Sequence, residues 1–144
     1  MKGLALSREA RALAVTGALL FLAGLAQGAA IQLFANPRMA LSAHLDAVQS
    51  GMAVMLAALF WSSCAWRAAT EAVARWTLAA GMVGLWLGIT LGAATGASRV
   101  LPIAGSGYSG SPLAEQVTGG LVLGSSAALF LGWGLFTVAL LRRR

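Results

Sequence analysis

Four stretches of this 144-residue chain, residues 12–34, 44–66, 76–97 and 112–141, contain no lysine or arginine. A helix needs about 20 mainly apolar residues to cross the hydrocarbon of a bilayer, and each stretch is long enough. Overall 59% of the residues are apolar and only 10% are charged, against about 25% charged in an ordinary soluble domain. Too few polar residues remain to cover a water-facing surface. The sequence therefore predicts an all-α membrane protein: one domain over residues 1–144, built as a four-transmembrane-helix bundle in a lipid bilayer.

Charge at the ends of the runs predicts orientation. Lys2, Arg8, Arg11, Arg67, Arg75, Arg142, Arg143 and Arg144 fall on one side of an up-down arrangement, and only Arg38 and Arg99 on the other. Eight against two is a positive-inside bias, so both termini are expected in the cytoplasm. Trp61, Trp66, Trp76 and Trp133 lie toward helix ends, where Trp favours the membrane–water interface. A rival reading takes the first run as a signal peptide cleaved near Ala26-Gln27-Gly28, but the apolar run continues to Phe34, longer than an ordinary signal core.

The net charge of +6 does not predict a nucleic-acid partner, because the basic residues flank apolar runs instead of forming a patch with aromatics. Cys64, the single cysteine, cannot close an internal disulfide or supply a Cys-rich metal site. It reads as a small core residue.

Residues 35–43 form an expected first outer loop leading into His44, and residues 98–111 a second, rich in Gly, Ser and Pro. Ser111-Pro112 suits a helix start, with Ser as N-cap and Pro at the first helical position. Glu115 then lies in the first turn, where the helix dipole favours a negative charge. The second loop is either a linker or a lid over a site, and Tyr108, the only tyrosine, points to a lid. Gly17, Gly24 and Gly28, then Gly81, Gly84, Gly88 and Gly92, then Gly119, Gly120 and Gly124 recur at spacings that let helices approach closely in lipid.

Few residues can carry chemistry. His44 is the only histidine; Asp46 and Glu115 are the acids on the outer side, and Glu71 is placed in the inner loop. Ionisable groups in or near membrane segments are functional candidates by default. By residue type alone, a lone His at a helix end reads as a cap or interface group before it reads as a ligand. Zinc is not expected, since it takes three or four protein ligands. His44 shares a helix face with Ala47, Val48, Gly51 and Met55, whereas Asp46 points about 200° away at 3.6 residues per turn, within reach of Arg38 in the expected loop. Were His44 to hold a haem, no second His could take the other axial position. Unless a Met did so, the iron would keep an open site, suited to Lewis-acid chemistry.

The segment Asn36-Pro37-Arg38-Met39-Ala40-Leu41-Ser42-Ala43-His44-Leu45-Asp46 resembles the N-P-R-M-x-L-x-x-H-L-E/D signature of bacterial hydroxylaminobenzene mutases. The stretch from Pro102 to Gln116 resembles the same family's P-L-A-G-x-G-Y/F-S-G-x-P-x-x-E-Q. That family is similar in turn to styrene oxide isomerase, a trimeric membrane enzyme using ferric haem b, whose ligand His is followed seven residues later by Gly and Met, as His44 is by Gly51-Met52 here. The chain departs from its relatives at Ser50, where they carry Asn, at Leu85, where the mutases carry Asn, and at Gly88 and Gly92, which stand where the isomerase has Asn and Tyr.

The resemblance implies a haem-dependent mutase of the bacterial inner membrane, a homotrimer turning an aryl hydroxylamine into an aminophenol. It implies His44 as axial ligand, Ser50 and Gly51 beside the haem, Arg38 and Arg99 on its propionates, and Tyr108, Asp46 or Glu115 handling the substrate oxygen and a proton. The alternatives are an epoxide rearrangement of the styrene oxide isomerase kind and a non-catalytic haem-binding or structural membrane module.

Overall fold

A computed structural model describes residues 6–142; Lys2, Arg143 and Arg144, counted among the basic flanks, lie outside them. Four helices follow one another: α1 (Arg8–Ala29), α2 (Pro37–Phe60), α3 (Ala68–Thr95) and α4 (Pro112–Leu141), with short 3-10 turns at Ile31–Leu33 and Trp61–Ser63. All four are long and apolar enough to cross a membrane, and no strand occurs among the described residues.

The starts of the helices show where the apolar-run reading fell short. Helix α2 begins at Pro37, not near residue 44, because Asn36 caps it: its Oδ1 accepts the Met39 N–H at 3.1 Å, and Pro37 occupies the first turn. This is the same device as Ser111-Pro112 at α4, where Ser111 Oγ accepts the Ala114 N–H at 3.2 Å. The expected loop 35–43 is therefore mostly helix, and His44 stands two turns into α2. Helix α3 starts at Ala68 instead of near 76, which places Glu71 in its first turn and Arg75 within the helix, not in the inner loop. The reasons differ: Arg75, taken as a flank, lies inside α3, whereas the uncharged stretch Met39–Ala43 continues the helix that the Asn36-Pro37 cap begins.

Packing divides the molecule into two hairpins. α1 lies along α2, α3 along α4, and α2 joins the pairs by packing on α3. Glycines set the first contact: a Cβ on Gly17 would lie 2.7 Å from the Gly51 carbonyl oxygen, and one on Gly24 2.9 Å from Ala47 Cβ. On the second hairpin Gly81 and Gly88 face Leu129 and Val122. Gly119, Gly120 and Gly124 make no close contact within the chain: among the described residues nothing lies within 4 Å of their missing Cβ positions. At the end bearing both termini, Trp61 is 1% exposed, stacked against Phe136 with centroids 5.8 Å apart, and its Nε1 donates to Glu71 Oε1 at 2.8 Å. Trp61 is thus a core residue, not the interface anchor that its position near a helix end suggested.

Candidate functional site

The residues singled out in the sequence gather at the opposite end of the bundle, around the start of α2 and the 97–111 connection. His44 projects from α2 onto α1. Its Nδ1 lies 2.7 Å from the Gly24 carbonyl oxygen. A carbonyl only accepts, so Nδ1 carries a hydrogen, and in the neutral imidazole Nε2 then keeps its lone pair. Gly28, one turn on, forms the floor under the ring: a Cβ there would lie 2.8 Å from both His44 Cε1 and Nδ1. The imidazole is half-buried, its tautomer and plane are set, and Nε2 makes no hydrogen bond among the described residues. That is the arrangement by which proteins orient a metal-binding histidine.

Asp46 and Ser50 stand on another side of α2. Ser50 Oγ donates to Asp46 Oδ1 at 3.4 Å, and Asp46 Oδ2 is buried with no hydrogen-bond partner. The expected Arg38–Asp46 pair does not form. Arg38 lies in the first turn of α2, and its Nη2 donates to the Ser106 carbonyl. Gly51 packs against Gly17 and Phe21 of α1, so it shapes the helix contact beneath His44.

The second outer loop is a folded cap. The Glu115 carboxylate accepts three backbone N–H groups: those of Ser98 (3.0 and 3.2 Å), Arg99 (3.0 Å) and Gly110 (3.1 Å). This side chain, buried at the head of α4, thereby draws the two ends of the loop together. From the other side, Asn36 Nδ2 donates to the Ala104 carbonyl at 3.0 Å. Inside the loop, Ser98 Oγ donates to the Tyr108 carbonyl at 2.7 Å, and the Tyr108 N–H reaches the Gly105 carbonyl at 2.9 Å. Gly107, at φ 87°, takes the left-handed turn that favours glycine. The Tyr108 residue itself is 39% exposed on this cap, and Arg38 and Arg99 are exposed at the same end.

Three polar side chains that the sequence reading passed over form a partly buried network. Trp86 Nε1 donates to Gln27 Oε1 at 2.6 Å, and Gln27 Nε2 donates to Thr90 Oγ1 at 3.2 Å. Gln27 lies between Gly24 and Gly28, so the bonds to α3 fix the turn of α1 that seats His44. The signal was present: Gln27 and Thr90 are polar residues inside long apolar runs, the pattern that marks working groups in membranes. Gly88 and Gly92 are packed closely by α4 and by Met39. A Cβ on Gly92 would lie 2.6 Å from Met39 Sδ, and one on Gly88 3.0 Å from Leu121 Cβ. Met39, fully buried against α3, faces away from His44.

Comparison with known proteins shows the family. The chain is 33% identical over 132 residues to hydroxylaminobenzene mutase HabA of Ectopseudomonas oleovorans, covering 88% of this chain and 95% of that protein. It is 31% identical to hydroxylaminobenzene mutase HabB of the same organism, covering 88% and 80% respectively. No solved structure matches it. The sequence profile of the family described as styrene oxide isomerase matches residues 9–141, from the first turn of α1 to the last residue of α4. The chain belongs to the styrene oxide isomerase family.

Proposed function

We propose that this protein is a membrane isomerase of the mutase type, converting an aryl hydroxylamine to an aminophenol, with ferric haem b bound through His44. The reaction is an isomerisation: the N–O bond breaks, a ring C–O bond forms, and a ring proton is exchanged for one on nitrogen. No external oxidant or reductant is required. The observation that carries the proposal is the state of His44, whose Nδ1–H is committed to Gly24 while Nε2 is left as a ligand. Among the described residues, this side chain fits the haem that the family resemblance implies.

A bound ferric haem supplies a Lewis-acidic iron that draws charge from the substrate oxygen. The chain's own residues do the rest. Gly24 and Gly28 orient His44. Asp46 Oδ2, buried and without a protein partner, is the acceptor available to hold a proton. Glu115 has both oxygens committed to the cap and acts by positioning Tyr108, Arg99 and the loop over the site. Arg38 and Arg99 are the guanidinium groups at this end for an anionic haem edge.

His44 and Asp46 face about 200° apart around α2, so one site using both draws on a second copy. With the open glycines of α4, this supports the homotrimer. The family profile itself favours a second reading, rearrangement of an aryl epoxide through the same iron and the same residues.

The test is an oxidised and reduced absorption spectrum of the detergent-purified protein and of His44→Ala, followed by product analysis with phenylhydroxylamine and styrene oxide. Haem b bound by the parent protein and lost from His44→Ala, with aminophenol as product, is the expected result. Unchanged haem content in His44→Ala would remove the ligand assignment.

A further inference from the structure

The end of the bundle bearing both termini holds a cleft that the isomerase chemistry does not use. It is lined by Ala65, Trp66, Arg67, Thr70, Leu135, Val138, Ala139 and Arg142, with a volume of about 260 Å³. Arg67 comes from the α2–α3 connection and Arg142 from the end of α4, so the fold brings together two cations 75 residues apart in sequence. Among the described residues no carboxylate lines it. Two neighbouring cavities differ: one contains Glu9 with Arg8 and Arg75, the other Glu9 and Glu71 with Arg75. The nearest acid of α3, Glu71, is held in the bundle by Trp61 Nε1.

We infer that this cleft binds the phosphate of an anionic phospholipid headgroup. Two guanidinium groups meet one phosphodiester, which Arg recognises better than Lys through paired N–H donors. Thr70 supplies a hydroxyl beside them. Arg67 leaves the first turn of α3 without a side-chain cap, so its free N–H groups add a positive end to the same region. The remaining walls, Trp66, Leu135, Val138 and Ala139, are apolar. Val138 belongs to the exposed flank of α4 that continues through Leu131 toward Leu123. A headgroup held between the arginines therefore has its acyl chains directed along a membrane-spanning helix. A free phosphate would gain nothing from those walls.

The experiment is native mass spectrometry of the full chain in detergent, titrated with phosphatidylglycerol, with phosphatidylcholine or with inorganic phosphate. The parent protein is expected to retain phosphatidylglycerol in preference to phosphatidylcholine, and millimolar phosphate is expected not to displace it. At about fivefold per surface arginine, Arg67→Gln with Arg142→Gln lowers phosphatidylglycerol affinity roughly 25-fold. Arg8→Gln with Arg11→Gln removes the same charge from the same end but outside the cleft, and is expected to lower the affinity far less. Equal loss in both double variants would mean diffuse surface charge and would overturn the site. So would equal retention of the two lipids, or displacement by inorganic phosphate, which would make the ligand a free anion. Circular dichroism of each variant confirms the helical fold, and Arg67→Lys with Arg142→Lys, keeping the charge, recovers part of the binding.

Discussion

At the residue scale the site depends on close approach. His44 is seated because α1 offers a bare carbonyl at Gly24 and no side chain at Gly28. Gly28→Ala places a methyl about 2.8 Å from the imidazole, too close for contact, so the ring or the helix must shift at a cost of about 1–3 kcal/mol. The expected outcome is weakened haem retention in a protein that still purifies as a folded helical bundle, read from the Soret absorbance per chain. Gln27→Leu acts one step further away. It strands the half-buried Trp86 indole N–H, and the cost approaches about 1–3 kcal/mol only as such a donor is fully buried. The thermal midpoint in detergent is expected to fall, with a haem spectrum altered because α1 is less firmly held. An unaltered midpoint would mean that the indole finds another acceptor.

At the scale of elements, α2 and the 97–111 cap form a unit. Asn36 caps α2 with one side-chain atom and holds Ala104 with the other, and Glu115 caps the loop from α4. The two motif stretches of the sequence thus converge on one folded cap. Glu115→Ala removes the acceptor for three N–H groups and is expected to expose the loop to protease at Gly105–Gly110 while the spans stay intact. Limited proteolysis followed by mass spectrometry reads this directly. Glu115→Gln keeps one acceptor oxygen and is expected to fall between the two. Asn36→Ala loses an N-cap worth about 0.5–2 kcal/mol together with the Ala104 contact. Its signature is faster hydrogen exchange at Met39 and across the cap. These positions were visible in the sequence as a motif. Their role was not, because the three N–H groups held by Glu115 come from backbone up to 17 residues away.

At the scale of the whole molecule, α4 leaves a glycine-rich face open. Gly120, Gly124 and Gly134 meet nothing within 4 Å, and Phe130 beside them is 87% exposed. Small residues on a membrane helix admit a second helix closely, which fits the proposed homotrimer. Gly120→Ile together with Gly124→Ile is expected to shift the protein to monomers in native mass spectrometry, without loss of the helical circular dichroism signal. A trimer that survives both changes would place the contact on another helix.

The sequence by itself determined the class and the span count, because hydrocarbon admits only long apolar helices and the chain has four such runs. It also singled out His44, Asp46, Glu115 and the two motif stretches, because charged or imidazole groups are scarce in a chain so apolar. It misplaced the starts of α2 and α3, since an Asn-Pro cap reads as loop and an arginine inside α3 reads as its flank. Only the tertiary structure decided which atoms are committed. The Gly24 carbonyl that fixes His44, the indole that occupies Gln27, the loop N–H groups on Glu115 and the pairing of Arg67 with Arg142 all join residues distant in the chain. Hydropathy and spacing describe one helix at a time, and those contacts exist only where two helices meet.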